Sequence, residues 1–114
     1  MKYSGGCHCG KVRYEVEIQI ENALACNCSI CQKRGYLLAF TPASNFRLLQ
    51  GEKDLTDYQF GKKTLHHPFC ATCGVASFST GSQNGVEMRA INVRCLDDIE
   101  LEKIPVMPFD GRSK

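Results

Sequence analysis

Gly6-Cys7-His8-Cys9-Gly10-Lys11-Val12-Arg13-Tyr14-Glu15-Val16-Glu17-Ile18-Gln19-Ile20 is the stretch whose reading decides the fold. Its second half alternates. Val12, Tyr14, Val16, Ile18 and Ile20 fall on one face, and Arg13, Glu15, Glu17 and Gln19 on the other. A period of two with one apolar face describes a strand buried on one side only, which an antiparallel sheet tolerates. Its first half sets two cysteines between glycines. Glycine lets the backbone turn tightly enough for neighbouring N–H groups to point at sulfur. A strand therefore grows directly out of a thiol-bearing turn.

Working outward, the same grammar repeats. Short apolar stretches at residues 36–40, 46–49, 55–60, 75–79 and 86–93 read as strands. Between them lie turns and loops, including residues 41–45 and 80–85. On residues 86–93 the alternation puts Val86, Met88, Ala90 and Asn92 on one face. Residues 32–35 form a polar turn or a single helical turn ended by Gly35. Residues 99–114 hold Pro105, Pro108 and Asp110-Gly111, and read as an extended, irregular tail. Many short strands divided by Gly, Asn and Pro turns predict a mainly β fold.

The chain of 114 residues suits one domain, residues 1–114. Its 43% hydrophobic and 23% charged content is that of a soluble globular protein. No apolar run nears the ~20 residues that span a bilayer, and the first residues lack the apolar core of a signal peptide. The expectation is a cytoplasmic protein with no membrane partner. A net charge of +2 and a pI near 8.1 make a poor electrostatic footprint for nucleic acid.

Eight cysteines are far more than such a chain needs. In a reducing compartment that count points to metal rather than disulfides. Their grouping agrees: Cys7-x-Cys9, Cys26-x-Cys28-x-x-Cys31 and Cys70-x-x-Cys73 are too closely spaced for ordinary disulfides within a group but suit one ion. The outer four, Cys7, Cys9, Cys70 and Cys73, can close a structural zinc site. The inner three, Cys26, Cys28 and Cys31, can hold a second zinc with its fourth tetrahedral position free, which is what distinguishes a reactive zinc from a structural one. Cys95, His66 and His67 are the alternatives for a fourth protein ligand there. Two zinc ions per chain are expected.

Other reactive side chains read more plainly. His8 lies between two ligands, and its side chain is expected to point away. Cys95 reads as a small core residue at a strand end, although a redox role beside Arg94 competes with that reading. Lys33-Arg34 and Lys62-Lys63 read as solvated basic pairs, with Lys33 and Arg34 near enough to the inner triplet to attract an anionic substrate.

Together Gly6-Cys7-His8-Cys9-Gly10-x-Val12, Cys26-x-Cys28-Ser29-x-Cys31 followed by Gly35, Phe69-Cys70-x-x-Cys73-Gly74 and Asn92-Val93-Arg94-Cys95-Leu96-Asp97 form a pattern. It resembles the glutathione-dependent formaldehyde-activating enzyme family, which includes centromere protein V-like proteins. Phe109-Asp110-Gly111-Arg112 is similar to the family's ending. The resemblance implies an Mss4-like zinc-binding fold of several curled antiparallel sheets. It also implies a structural zinc on Cys7, Cys9, Cys70 and Cys73 and a catalytic zinc on Cys26, Cys28 and Cys31. The implied activity is the addition of glutathione to formaldehyde, formally a carbon–sulfur lyase reaction. The competing readings are a non-catalytic interaction module with two structural zincs, and thiol redox chemistry at Cys95 in the manner of B-type methionine sulfoxide reductases.

Overall fold

The computed structural model describes residues 1–113, so Lys114, the last residue of the expected tail, lies outside the described residues. The chain runs β1 (Lys2–Gly6), β2 (Arg13–Glu17), β3 (Ala23–Cys26), α1 (Ser29–Arg34), β4 (Leu38–Pro42), β5 (Phe46–Gln50), β6 (Leu55–Tyr58), β7 (His67–Cys70), β8 (Phe78–Gln83), β9 (Val86–Asn92) and β10 (Val106–Phe109), with short 3₁₀ turns between some of them. The strands form three sheets. One has the order β1-β2-β5, a second the order β10-β3-β4-β9-β8, and β6 pairs with β7 alone. A mainly β fold of several separate sheets is what the sequence predicts.

The alternation after Cys9 becomes the centre of the molecule. Val12, Tyr14 and Val16 are at most 1% exposed, and Ile18 is buried beside them. They share one core cluster with Ala39, Phe78 and Ile91 of the five-stranded sheet and with Cys7 and Cys70. Tyr14 ties the layers together. Its ring lies 4.9 Å from that of Phe46 and 5.9 Å from that of Phe78, and its hydroxyl donates to the Ser77 carbonyl at 3.1 Å. A buried hydroxyl without that acceptor would be costly. Arg13, on the opposite face of β2, pairs with Asp97 and so fastens the first sheet to the segment after β9.

Several elements differ from the sequence reading, beginning with β3 and β7, which it did not mark as strands. Residues 80–85 are not a loop: β8 continues to Gln83, and only Asn84-Gly85 turns, with φ of 52° and 80°. Two positive φ values match the right-handed twist of a two-residue hairpin, and Asn followed by Gly is the pair that accepts them most readily. On β9 the inward residue is Ile91, 0% exposed, whereas Val86 is half exposed. The far end of the β8–β9 hairpin projects beyond the core, so alternation there does not mean burial. Finally, the tail contains β10, which pairs in parallel with β3, Val106 opposite Ala23 and Phe109 opposite Cys26. It satisfies the outer backbone groups of β3. Its own side chains are exposed, so they show no apolar period.

Ile91 anchors the second sheet on this core, and truncation should leave a cavity. Ile91→Ala is expected to cost roughly 2–5 kcal/mol. Urea unfolding of the metal-loaded protein measures it; a loss below about 1 kcal/mol would contradict the placement of Ile91 at the centre.

Two candidate metal centres

The first centre joins two turns far apart in the chain. After β1, Cys7 N–H donates to the Val12 carbonyl at 3.1 Å, and Val12 N–H donates back to the Cys7 sulfur at 3.3 Å. After β7, Gly74 N–H donates to the Cys70 carbonyl at 2.8 Å. Gly74 has φ of 81°, a conformation that glycine takes without a Cβ penalty. The two turns meet so that Cys7 Sγ and Cys9 Sγ lie 3.6 Å apart, as do Cys9 Sγ and Cys70 Sγ. With Cys73, all four sulfurs fall within 4.8 Å of one another.

The second centre is local. β3 delivers Cys26, Cys28 caps α1, and Cys31 sits in the helix's first turn. Backbone bonds from Gln32 N–H to the Cys28 carbonyl at 3.0 Å and from Gly35 N–H to the Cys31 carbonyl at 2.9 Å set the turn. The three sulfurs again lie within 4.8 Å of one another, with Cys31 buried and the other two half-buried.

Both donor sets fit zinc. Two sulfurs each ~2.3 Å from one tetrahedral zinc stand roughly 3.8 Å apart, close to the 3.6 Å observed in the first cluster. The thiol pKa values within each cluster are driven apart: at Cys9 the Lys11 backbone bond is outweighed by burial and the neighbouring sulfurs, which push it up to about 11, and burial, then the Cys28 sulfur, raises Cys31, while other members are lowered. The Val75 N–H, followed by the Cys9 backbone, brings Cys73 down to about 6. Burial opposes ionisation of Cys7, but hydrogen bonds from Val12, Cys9, Cys70 and Gly10 outweigh it and lower its pKa. Cys28 is lowered in the same way, burial being outweighed by bonds from Cys31, Cys26 and Ile30. Negative charge gathered on clustered sulfurs calls for a cation, and four or three soft thiolates suit zinc.

Among the described residues, no further His, Cys, Asp or Glu donor joins the inner triplet. His66 is exposed, with Nδ1 2.5 Å from Asp57 Oδ2. His67 is buried, and its ring stacks on Phe60 at 5.4 Å. Cys95 belongs to neither cluster. Its sulfur lies 3.9 Å from the Ala76 carbonyl, and burial, reinforced by the charges of Cys7 and Cys73, pushes it up to about 11. A thiol held protonated is a poor nucleophile, which argues against redox chemistry there. His8 is exposed and outside the four-sulfur group.

The site also includes residues that sequence reasoning did not assign. The turn after β10 lies over the triplet. Asn27 Nδ2 donates to Asp110 Oδ1 at 3.0 Å, Arg112 N–H donates to Asn27 Oδ1 at 2.8 Å, and Arg112 Nη2 donates to Gln32 Oε1 at 2.9 Å. A pocket of about 430 Å³ opens beside Cys28, lined by Ser29, Gln32, Lys33, Gly111 and Arg112.

The sequence matches the family of glutathione-dependent formaldehyde-activating enzymes over residues 2–109. The chain belongs to that family. A crystal structure of a Rhodobacter sphaeroides protein superposes with a TM-score of 0.79. The two are 36% identical, over 91% of this chain and 99% of the other.

His67 offers a test of its burial in the uncharged form. Burial first, and then the charge of Arg34, hold its pKa below the usual 6.5, and among the described residues its Nδ1 has no hydrogen-bond partner. The unfolded chain then binds the proton more readily than the folded one. Its contribution to stability is complete above about pH 6.5 and is lost as pH falls through the lower folded value. His67→Phe should flatten the fall in unfolding free energy between about pH 7 and 5 relative to the wild type. Equal slopes in denaturant titrations would contradict the assignment.

Proposed function

We propose that the inner triplet is the reactive centre of an enzyme that adds glutathione to formaldehyde, and that the outer four cysteines hold a structural zinc. The observation that carries this reading is the donor count: Cys26, Cys28 and Cys31 stand together with no fourth protein donor among the described residues, beside an open pocket. Family membership supports the choice of substrates.

In the reaction a carbon–sulfur bond forms between the thiol sulfur and the formaldehyde carbon. The carbonyl π pair moves to oxygen, which ends as a hydroxyl carrying the proton that the thiol gave up. When bound, zinc supplies a Lewis acid that lowers the pKa of a thiol at its free position. The chain's residues do the rest. Cys26, Cys28 and Cys31 would hold the ion, Cys28 borders the pocket, and Ser29 and Gln32 line its wall with neutral hydrogen-bonding groups. The turn at residues 110–112 covers one side of the triplet.

The domain assignment is residues 1–114 as one zinc-binding unit; the core cluster shared by all three sheets supports it. Eight cysteines, all free, suit a reducing compartment, and cytoplasmic location is part of the proposal. Among the described residues, no helix is long and apolar enough to cross a membrane.

Cys28→Ser is the direct test. The variant should fold, lose one of two metal ions, and lose at least about 100-fold of its rate of hydroxymethylglutathione formation, on the scale of removing a metal's contribution. Metal analysis and exchange NMR of the glutathione–formaldehyde mixture read both. Full activity with one ion lost would overturn the catalytic role of the triplet.

A further inference from the structure

The pocket beside Cys28 carries more information than its position. Its lining contains two cations, Lys33 and Arg112, and no carboxylate. Asp110 is the nearest acid in sequence, but it is engaged elsewhere. It accepts from Asn27 Nδ2, and hydrogen bonds from Ser113 and Asn27 lower its pKa. The two basic residues reach the pocket by different routes. Lys33 comes from the last turn of α1, whose first turn bears Cys31. Arg112 comes from the far end of the chain.

The route of Arg112 is built with unusual care for a chain terminus. β10 runs in register with β3 until Phe109 stands opposite Cys26, and Asn27 N–H donates to the Phe109 carbonyl at 3.1 Å. The Asn27 side chain then holds both Asp110 and the Arg112 backbone. Gly111 crosses so close to the metal ligands that a Cβ there would meet Cys26 Sγ at 2.4 Å and Cys28 Cβ at 3.4 Å. Only glycine allows that approach. Among the described residues, the Arg112 guanidinium donates to Gln32 alone, which leaves four of its five N–H groups for a ligand.

We infer that Arg112, positioned by the Asn27-anchored turn and assisted by Lys33, is a specificity-determining residue that binds a carboxylate of the incoming thiol. The inner centre is thereby selective for small thiols carrying a carboxylate over neutral thiols of equal reactivity. This rests on the reading of the triplet as a thiol-binding centre. The chemistry is simple. Cys28 lines the pocket, so a thiol that reaches the triplet from that side meets two cations and a planar fork that matches carboxylate geometry. A neutral tail receives none of that and leaves the guanidinium to water. Gly111 has the companion role of letting the turn lie on the sulfurs, so that the fork stands next to the thiol site and not above it.

The test uses full-length protein with cobalt(II) in both centres, whose sulfur-to-metal absorption reports on the donor set without turnover. Titration with 3-mercaptopropionate and with 2-mercaptoethanol compares two thiols that differ in tail charge. The wild type should bind the carboxylate thiol about ten-fold more tightly, as a charge-assisted pair warrants, and the preference should shrink in high salt. Arg112→Ala should bring the two thiols to near parity, chiefly by weakening 3-mercaptopropionate, with two ions per chain retained. Arg112→Lys should retain part of the preference. Gly111→Ala should alter the cobalt spectrum of the inner centre alone. Equal preference in wild type and Arg112→Ala would overturn the inference and leave the thiol centre standing. No spectral response to either thiol in the wild type would instead overturn the thiol centre, and this inference with it.

Discussion

The structure depends on one meeting: Cys9 reaches Cys70 across 61 residues of sequence. That contact clips the β1–β2 hairpin to the β6–β7 hairpin, two pieces that share no sheet. Sulfur packing alone does not explain it, because thiolates gathered this closely would repel one another. A bound ion turns that repulsion into a clamp, and structural zinc supplies folding free energy of order 10 kcal/mol in small domains. Tyr14 and Val12 then lie beneath the clamp, and the first sheet is pinned to the second through Tyr14, Phe46 and Phe78.

The second sulfur cluster differs in construction, and the difference matters chemically. Its ligands lie within six residues, so it closes no long loop and does little to hold distant elements together. It stands at the rim, between the end of β3 and the start of α1, with a pocket on one side and the C-terminal turn on the other. One cluster has four sulfurs and joins distant parts of the fold. The other has three and borders an open pocket. The proposed division into a structural and a reactive centre rests on that difference in donor number and position.

Most of this was legible in the sequence for identifiable reasons. Residues 11–20 announced a half-buried strand because their apolar positions face one core. The cysteine groups announced two sulfur clusters able to hold a metal because short spacings at polar turns have few other uses. What escaped notice lacked a local signature. β10 is extended but exposed on both faces, so it shows no period; its partner β3 is a matter of tertiary pairing. Ile91 lies on the face of β9 opposite to Val86, Met88 and Ala90, and which face meets the core is decided by how the sheets pack, which alternation does not encode. The Asn84-Gly85 turn was different: the signal was present, and its hairpin meaning was overlooked within a longer polar stretch. At the site, Asn27 and Arg112 owe their roles to a contact 85 residues apart in sequence, which no local pattern encodes.

The claim that organises the account is that the two centres differ by one protein ligand. Zinc K-edge absorption of the fully loaded protein tests it most directly. The account predicts two zinc ions per chain, with a mean sulfur number between three and four and a light-atom ligand contributing the remainder. Glutathione should raise the mean to four as its sulfur enters the open position. A mean of four sulfurs before any thiol is added, unchanged by glutathione, would mean that both centres are closed by the protein and would contradict the account.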